Sequence, residues 1–315
     1  MHDFIYRIGN FDKVNVFEAG NSPIVCFIKK GIVIENIQVD IFGGNHCIME
    51  KIYASHSRLK DNNWGYLLSM NLKLLFKIAD TPKKVKDDYV AENPFTVSEA
   101  YGVKEIIEDL DNRNSYNPKK YFKFVNTGTI DKYLTLWGRK KTTYLKNKYL
   151  FPVILKTAFL KKYPRRYKQM DATKILISGM RHFESVIDAE SNIVAGKSTV
   201  ILKGKNKSDY REILGILNSK LISFYIKESF SALGIDGGIN FTASLVEGLP
   251  LPKLDKSSSK IIENFVSEIL AITNDKNYLE NASKQAKVQQ YEHQIDELVY
   301  KLYGLTLEEI ETIEK

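Results

Sequence analysis

Lys174-Ile175-Leu176-Ile177-Ser178-Gly179 and Ser198-Thr199-Val200-Ile201-Leu202-Lys203 are two short apolar runs rich in β-branched residues. They flank a turn-rich stretch, Asp188–Gly196, and so read as strands of one sheet. Residues 209–227 follow, with Ile213, Leu214, Leu217, Leu221, Phe224 and Tyr225 at helical spacing. Strands followed by a helix, without a repeating strand–helix alternation, predict an α+β architecture.

Working outward, residues 1–57 look β-rich. Phe4-Ile5-Tyr6, Val14–Phe17 and Ile24–Ile28 are apolar runs punctuated by Asn10, Gly20, Asn21 and Pro23. Residues 66–79 predict one short helix, 80–94 a loop and Val103–Leu110 another helix. Gly234–Ile239 reads as a loop, Leu249-Pro250-Leu251-Pro252 as a stop, and Lys256–Lys260 as a linker. Beyond it, Tyr291, Ile295, Leu298, Val299 and Leu302 form one helical stripe. Gly304 is a C-terminal stop, and Thr306 with Glu309 predicts a capping box for a last helix. The expected fold class is therefore α+β, with a β-rich N-terminal piece, a mixed α/β middle and C-terminal helices. The 315 residues suit about two domains at roughly 150 residues each.

Charge is unevenly spread. The chain carries 46 Lys+Arg against 38 Asp+Glu, a net of +8. Between residues 119 and 168 there are fifteen cations and one acid, Asp131, interleaved with eleven aromatics. Such a surface suits nucleic acid, because cations displace the counterions of phosphates while planar side chains meet bases. The alternative is a solvated basic face whose aromatics point into the core. From Lys260 to Lys315 the balance reverses to eleven acids and six bases, which places those helices on the scaffold side or against a partner.

Several chemistries lack their residues. No Gly-x-Gly-x-x-Gly or phosphate loop occurs, since Gly196-Lys197-Ser198 would need a glycine where Ser191 stands. Asp40 with Glu50-Lys51 is only a shadow of a nuclease motif. His46 beside Cys47 is too little for a metal. Asn93-Pro94-Phe95-Thr96 reads as a turn. Two cysteines, Cys26 and Cys47, exclude a disulfide scaffold. Met1–Arg7 lacks the layout of a secretion signal and no stretch is long and apolar enough to span a membrane, so a cytoplasmic protein with no membrane partner is expected.

Three stretches resemble the C-terminal part of adenine-specific DNA methyltransferases of the Taq type, including fused type II restriction–modification enzymes. Val16-Phe17-Glu18-Ala19-Gly20 with Ile24–Lys30 looks like their late methyltransferase hairpin. Ile175–Gly179, Ala195–Thr199, Leu214–Lys220, Gly237-Gly238-Ile239 and Leu249–Pro252 look like their target-recognition domain. Tyr291–Glu309 looks like their helical end.

The resemblance implies three parts: 1–57 a remnant of the methyltransferase domain, 58–255 a DNA target-recognition domain, and 256–315 a helical segment. It implies double-stranded DNA as partner. The S-adenosylmethionine and Asn-Pro-Pro-Tyr motifs of the family are absent ahead of Phe17, so the chain is expected to bind no cofactor and not to methylate by itself. S-adenosylmethionine belongs to the full-length parent. By resemblance Phe17 would stack on a flipped-out adenine. Polar groups in recognition loops are the expected DNA contacts: Trp137, Arg139, Lys140, Lys141, Arg165, Arg166, Lys168, Arg181, His182 and Lys197. The leading expectation is a sequence-specific DNA-recognition module. Its alternatives are a type I specificity-subunit-like protein, an interaction subunit docking a separate methyltransferase or endonuclease chain or pairing as a homodimer, and a motif-poor methyltransferase or nuclease.

Overall fold

The computed structural model describes residues 4–11, 14, 16, 23–31, 34–60, 65–206, 209–230 and 241–315. Contacts divide the chain into two units. One is Met1–Asp80 with Phe224–Ile239, the other Thr81–Ser223 with Asn240–Lys315.

The first unit holds a sheet of β1 (Ile5–Asn10), β2 (Ile24–Ile28), β3 (Asn36–Phe42) and β4 (Ile48–Ser55), followed by α1 (Leu72–Ala79). The strand order is β2-β1-β3-β4, with β1 and β3 parallel and the other pairs antiparallel. Alternate residues of β3 and β4, Ile37, Val39, Ile41, Ile52 and Ala54, are buried together with Leu67 and Leu72. The helix expected over 66–79 forms only from Leu72; a 3-10 turn, Gly65–Leu68, precedes it.

In the second unit the stretch read as a loop, 80–94, contains β5 (Lys83–Lys84), α2 (Val85–Asp88) and β6 (Tyr89–Glu92). β6 forms because a distant partner strand accepts it, a signal that local polarity hides. α3 (Val97–Lys104) is fixed by a capping box. Thr96 Oγ1 accepts from the Glu99 N–H at 3.3 Å, and the Glu99 carboxylate accepts from the Thr96 N–H at 2.7 Å. The expected helix over 103–110 is corrected: α3 ends at Lys104, and Ile107–Asp109 is a strand, β7.

Next come β8 (Tyr121–Val125), β9 (Ile130–Asp131), β10 (Leu134–Thr135), β11 (Thr142–Tyr144), β12 (Asn147–Tyr149) and β13 (Pro152–Leu155). Helices α4 (Lys156–Lys162) and α5 (Pro164–Met170) lead into β14 (Lys174–Ser178), β15 (Ser185–Asp188), β16 (Ile193–Ala195) and β17 (Thr199–Gly204). Two four-stranded sheets result, β16-β8-β13-β7 and β15-β14-β17-β6. β14 and β17 pair antiparallel, Ile175 opposite Leu202 and Ile177 opposite Val200, as their apolar runs predict. One core, with Phe122, Phe124, Phe159, Leu176 and Ile201 all fully buried, joins the two sheets.

The expected single helix at 209–227 is two, α6 (Arg211–Leu217) and α7 (Lys220–Phe230). The break serves β15: the Asn218 side chain accepts from the Ser185 N–H at 2.9 Å and donates to the Ser185 carbonyl at 2.9 Å. A side chain that matches a backbone edge in this way replaces a ladder bond. α8 (Ala243–Gly248) precedes β18 (Pro250–Leu251), which pairs with β5. The expected linker Lys256–Lys260 is instead the first turn of α9 (Lys256–Thr273), capped by Asp255, whose carboxylate accepts from the Ser258 N–H at 2.7 Å. α10 (Ala282–Leu302) follows, Gly304 stops it at φ +64°, and the Thr306–Glu309 capping box opens α11 (Leu307–Glu314). Ile295 and Val299 of the expected stripe are buried. The fold is α+β.

Candidate nucleic-acid interface

The basic window separates by side-chain chemistry. Its aromatics turn inward: Tyr121, Phe122, Phe124, Tyr133, Trp137, Tyr144 and Phe159 are buried. Its cations turn outward. Lys119, Lys140, Lys141, Lys146, Lys148, Lys161, Arg165 and Lys168 are exposed and make no ion pair among the described residues. The interleaving in sequence is thus β-strand and helix amphipathicity, and the aromatics form the core that the cations surround.

Three loops hold part of this charge in place. Met180 donates its N–H to Thr127 Oγ1 at 3.2 Å, and the Ser178 and Thr127 hydroxyls bond at 2.6 Å. Gly179 donates to the Ser198 carbonyl at 3.0 Å. A Cβ on Gly179 would stand 2.3 Å from that same oxygen, so only glycine lets the two loops approach. Asn126 Nδ2 donates to the Thr143 carbonyl at 3.0 Å, and the Lys197 backbone N–H bonds the Tyr144 hydroxyl. Loops 126–128, 179–182 and 196–198 therefore meet beside β11.

These contacts bring Arg181, His182 and Lys197 to one end of the unit, with Lys141 leading into β11. All four side chains are exposed. Arg181 holds the left-handed conformation, φ +69°. Lys140 belongs with them electrostatically. Burial and Asp131 push the Glu184 carboxyl up, while His182, Lys132 and Lys140 pull it down. β11 and β12 close over a two-residue turn, Leu145-Lys146, with both residues left-handed at φ +44° and +72°.

Other expected contacts are placed differently. Trp137 is 4% exposed, and its indole N–H donates to the Pro152 carbonyl at 2.8 Å, so its ring belongs to the core. Arg166 grips Glu99 through Nε and Nη2, the latter at 2.7 Å, and reaches the Asn93 carbonyl, so it anchors α5 to α3. Arg139 donates to the Asp275 and Lys276 carbonyls, both at 3.3 Å. Arg165 and Lys168 project from α5 and remain exposed. Phe17 lies outside the described residues, as do Gly237, Gly238 and Ile239.

The residues that shadowed catalytic motifs are committed to structure among the described residues. Asp40 is fully buried, bonded by Arg7 Nε and by Gln38 Nε2 at 2.6 Å, while Glu50 pairs with Lys73 at 2.6 Å. Among the described residues no group of three His, Cys, Asp or Glu could hold a metal ion. Asn93-Pro94-Phe95-Thr96 is structural: Phe95 is 2% exposed and Thr96 caps α3. Cys26 and Cys47 are exposed thiols. No helix of the described residues is long and apolar enough to cross a membrane.

Residues 108–251 match the family model of the TaqI-like C-terminal specificity domain. This stretch is similar to TaqI-like C-terminal specificity domains. It takes in the two four-stranded sheets of the second unit except β6 and the first residue of β7, the charged window and the three loops of the cluster. No curated protein matches the chain. Among solved structures, the type IIG restriction endonuclease BpuSI is similar at 11% identity and a TM-score of 0.45. That match covers 96% of this chain and 44% of that one, so the chain spans less than half the length of this neighbour.

Nothing in local sequence singles out which cations of the specificity domain are committed. Arg166 and Glu99 are 67 residues apart, and only folding pairs them. Asn126 and Thr127, which tie the loop cluster together, carry no charge or motif that would have flagged them.

Proposed function

We propose that the chain is a sequence-specific DNA-recognition module of a restriction–modification enzyme of the adenine-methylating kind. The observation that carries this reading is the outward cation shell of the specificity domain, unpaired within the described residues and laid over a rigid aromatic core. Double-stranded DNA is the partner that such a shell suits. Lysines and arginines supply phosphate contacts, and the arginine fork can also read guanine. On this reading Lys140, Lys141, Arg181, His182 and Lys197 face the duplex, with Arg165 and Lys168 adding charge from α5. Trp137, Arg139 and Arg166 support that surface from behind.

S-adenosylmethionine would act in the parent enzyme, but the residues here do not fit it. Asn93 offers its backbone carbonyl to Arg166, and Phe95 is core packing, so this segment presents no amino-methyltransferase site. On this reading the chain contributes DNA binding.

The test is fluorescence anisotropy against a random duplex pool across a salt series, with sequencing of the bound fraction. A steep loss of affinity with salt and an enriched short motif are expected. A flat affinity profile across sequences would remove the specificity claim.

A second reading, an interaction subunit for a separate methyltransferase chain, is favoured by the first unit. Val25, Phe27, Ile28, Met49 and Tyr53 are exposed on its edge strands β2 and β4. An unpaired apolar edge is a template for another chain. Co-purification with a methyltransferase lacking its own recognition domain would support it.

A further inference from the structure

Within the second unit, between β-strand residues and the end of α9, lies a cleft of about 350 Å³. Three cations line it, Arg113, Lys123 and Arg139, together with Trp137 and two acids, Asp188 and Glu190. Lys123 is half-buried. Its Nζ lies over the Tyr116 ring at 5.1 Å and over the Trp137 ring at 5.4 Å. The ammonium has three donors, yet no hydrogen-bond acceptor or ion-pair partner among the described residues. Ring faces attract the cation but accept no conventional hydrogen bond.

The acids nearby do not supply that partner. Asp188 is 3% exposed and already matched, by Lys174 Nζ at 2.5 Å and by the Asn192 and Ile193 N–H groups, each at 3.0 Å. Glu190 is exposed and is met by the Asn192 amide at 3.4 Å. The indole N–H of Trp137 is spent on Pro152. A second polar group is left over beside Lys123: the buried Tyr116 hydroxyl has no hydrogen-bond partner. Arg113 spends one nitrogen on the Trp137 carbonyl at 3.2 Å and keeps its other donors.

We propose that this cleft binds a small oxyanion of the phosphate class, held by Lys123 as a point charge and by the Arg113 fork. A tetrahedral oxyanion offers several strong acceptors to the unspent donors on one side of the cleft. Burial pulls the Lys123 ammonium below the usual lysine range; Glu190 and Asp188 push it back up and Arg113 pulls it down, but burial wins, and a bound anion would add to the upward push. The phosphate has two sources, a free small anion or a phosphodiester of the DNA backbone. The assignment does not depend on the chain reading DNA sequence.

The chain has two tryptophans, Trp64 and Trp137. Trp64→Phe leaves Trp137 as the reporter in the full-length chain. Inorganic phosphate, titrated against chloride at constant ionic strength, should give a saturable change in Trp137 emission. Lys123→Gln should weaken phosphate at least tenfold. Arg113→Gln, at an exposed position whose loss leaves the core intact, should weaken it in the same direction. Adding a short duplex separates the sources: competition with phosphate assigns the cleft to a backbone phosphodiester, and binding without competition assigns it to a free oxyanion. The proposal is overturned if phosphate acts no differently from chloride. It also fails if folded Lys123→Gln and Arg113→Gln both bind within twofold of the parent. Either failure leaves duplex binding by the loop cluster unaffected, so the two readings fail separately.

Discussion

Arg166 gives α5 its fixed place. Its guanidinium bonds Glu99 through two nitrogens, and this holds the Glu99 carboxyl down at about 2, against an ordinary 4.5. A carboxylate depressed in the folded state adds stability above its unfolded pKa and loses it as pH falls through the folded value. The Glu99 contribution is therefore complete above pH 4.5 and vanishes between 4.5 and 2. Acid unfolding followed by circular dichroism should show that segment of pH dependence in the parent chain, and Glu99→Gln should remove it while lowering stability at pH 7. The buried pair Lys174–Asp188 makes a sharper case. Lys174 also donates to the Met170 carbonyl at 2.5 Å and to the Ala172 carbonyl at 3.2 Å. Lys174→Met leaves Asp188 charged in the core and should cost about 3 kcal/mol in urea unfolding. Adding Asp188→Asn should recover part of the loss, because the neutral amide removes the buried charge and its single oxygen still accepts from one of the two N–H groups, Asn192 or Ile193. Charge density was legible in the sequence, but commitment was not: Arg165 and Arg166 are neighbours with identical chemistry, and only the second has a carboxylate within reach.

The β11–β12 hairpin concentrates the same question in one element. Two-residue hairpin turns want both central residues left-handed, which Asn-Gly provides cheaply. Here Leu145 and Lys146 occupy those positions, and each left-handed non-glycine residue costs roughly 1 kcal/mol. Leu145 is half-buried against the core, which offsets its share, whereas Lys146 is exposed. On the DNA-recognition reading, Lys146 is retained for its charge. Lys146→Gly should then raise stability by about 1 kcal/mol and weaken duplex binding, lowering the salt-dependence slope by about 1. Greater stability with unchanged DNA affinity would take the hairpin out of the interface. Elements with their own periodicity, such as β14, β17 and α10, were readable from sequence. Ile107–Asp109 was not, because its helical pattern is local while its strand partner, β13, lies more than forty residues on. The Lys-Ser-Ser-Ser-Lys stretch at 256–260 looked like a linker for the same reason: its serines are ordinary first-turn residues once Asp255 caps them.

At the scale of the whole chain, the specificity domain and the acidic helices are one piece of packing. α6 lies against α9, and the meeting point is Gly215. A Cβ there would stand 2.7 Å from Ile262 Cγ2 and 3.0 Å from Val266 Cγ2, both on α9, with Ile295 of α10 behind. The acidic C-terminal segment thus packs on α6 through an apolar seam, and most of its acids are exposed while Asp296 is buried. The glycine in Leu214-Gly215-Ile216 is what the sequence shows of that seam, but its reason needs two helices contributed by residues 256–302. Gly215→Val must push α6 off α9 or force rotamers on Ile262 and Val266. Overpacking of this kind costs about 1–3 kcal/mol. Asn218, three residues along the same turn, would move with α6 and loosen its two backbone bonds to Ser185. That strand edge runs directly into Arg181 and His182. Gly215→Val should therefore lower the melting temperature and also blunt discrimination between DNA sequences, while salt-dependent non-specific binding by exposed lysines persists. Gly215→Ala, whose Cβ would already displace the branched methyl of buried Ile262, should show the same two effects at smaller size. If Gly215→Val lost stability and kept full discrimination, the recognition loops would be held by the β14–β17 sheet alone, independently of the helical seam.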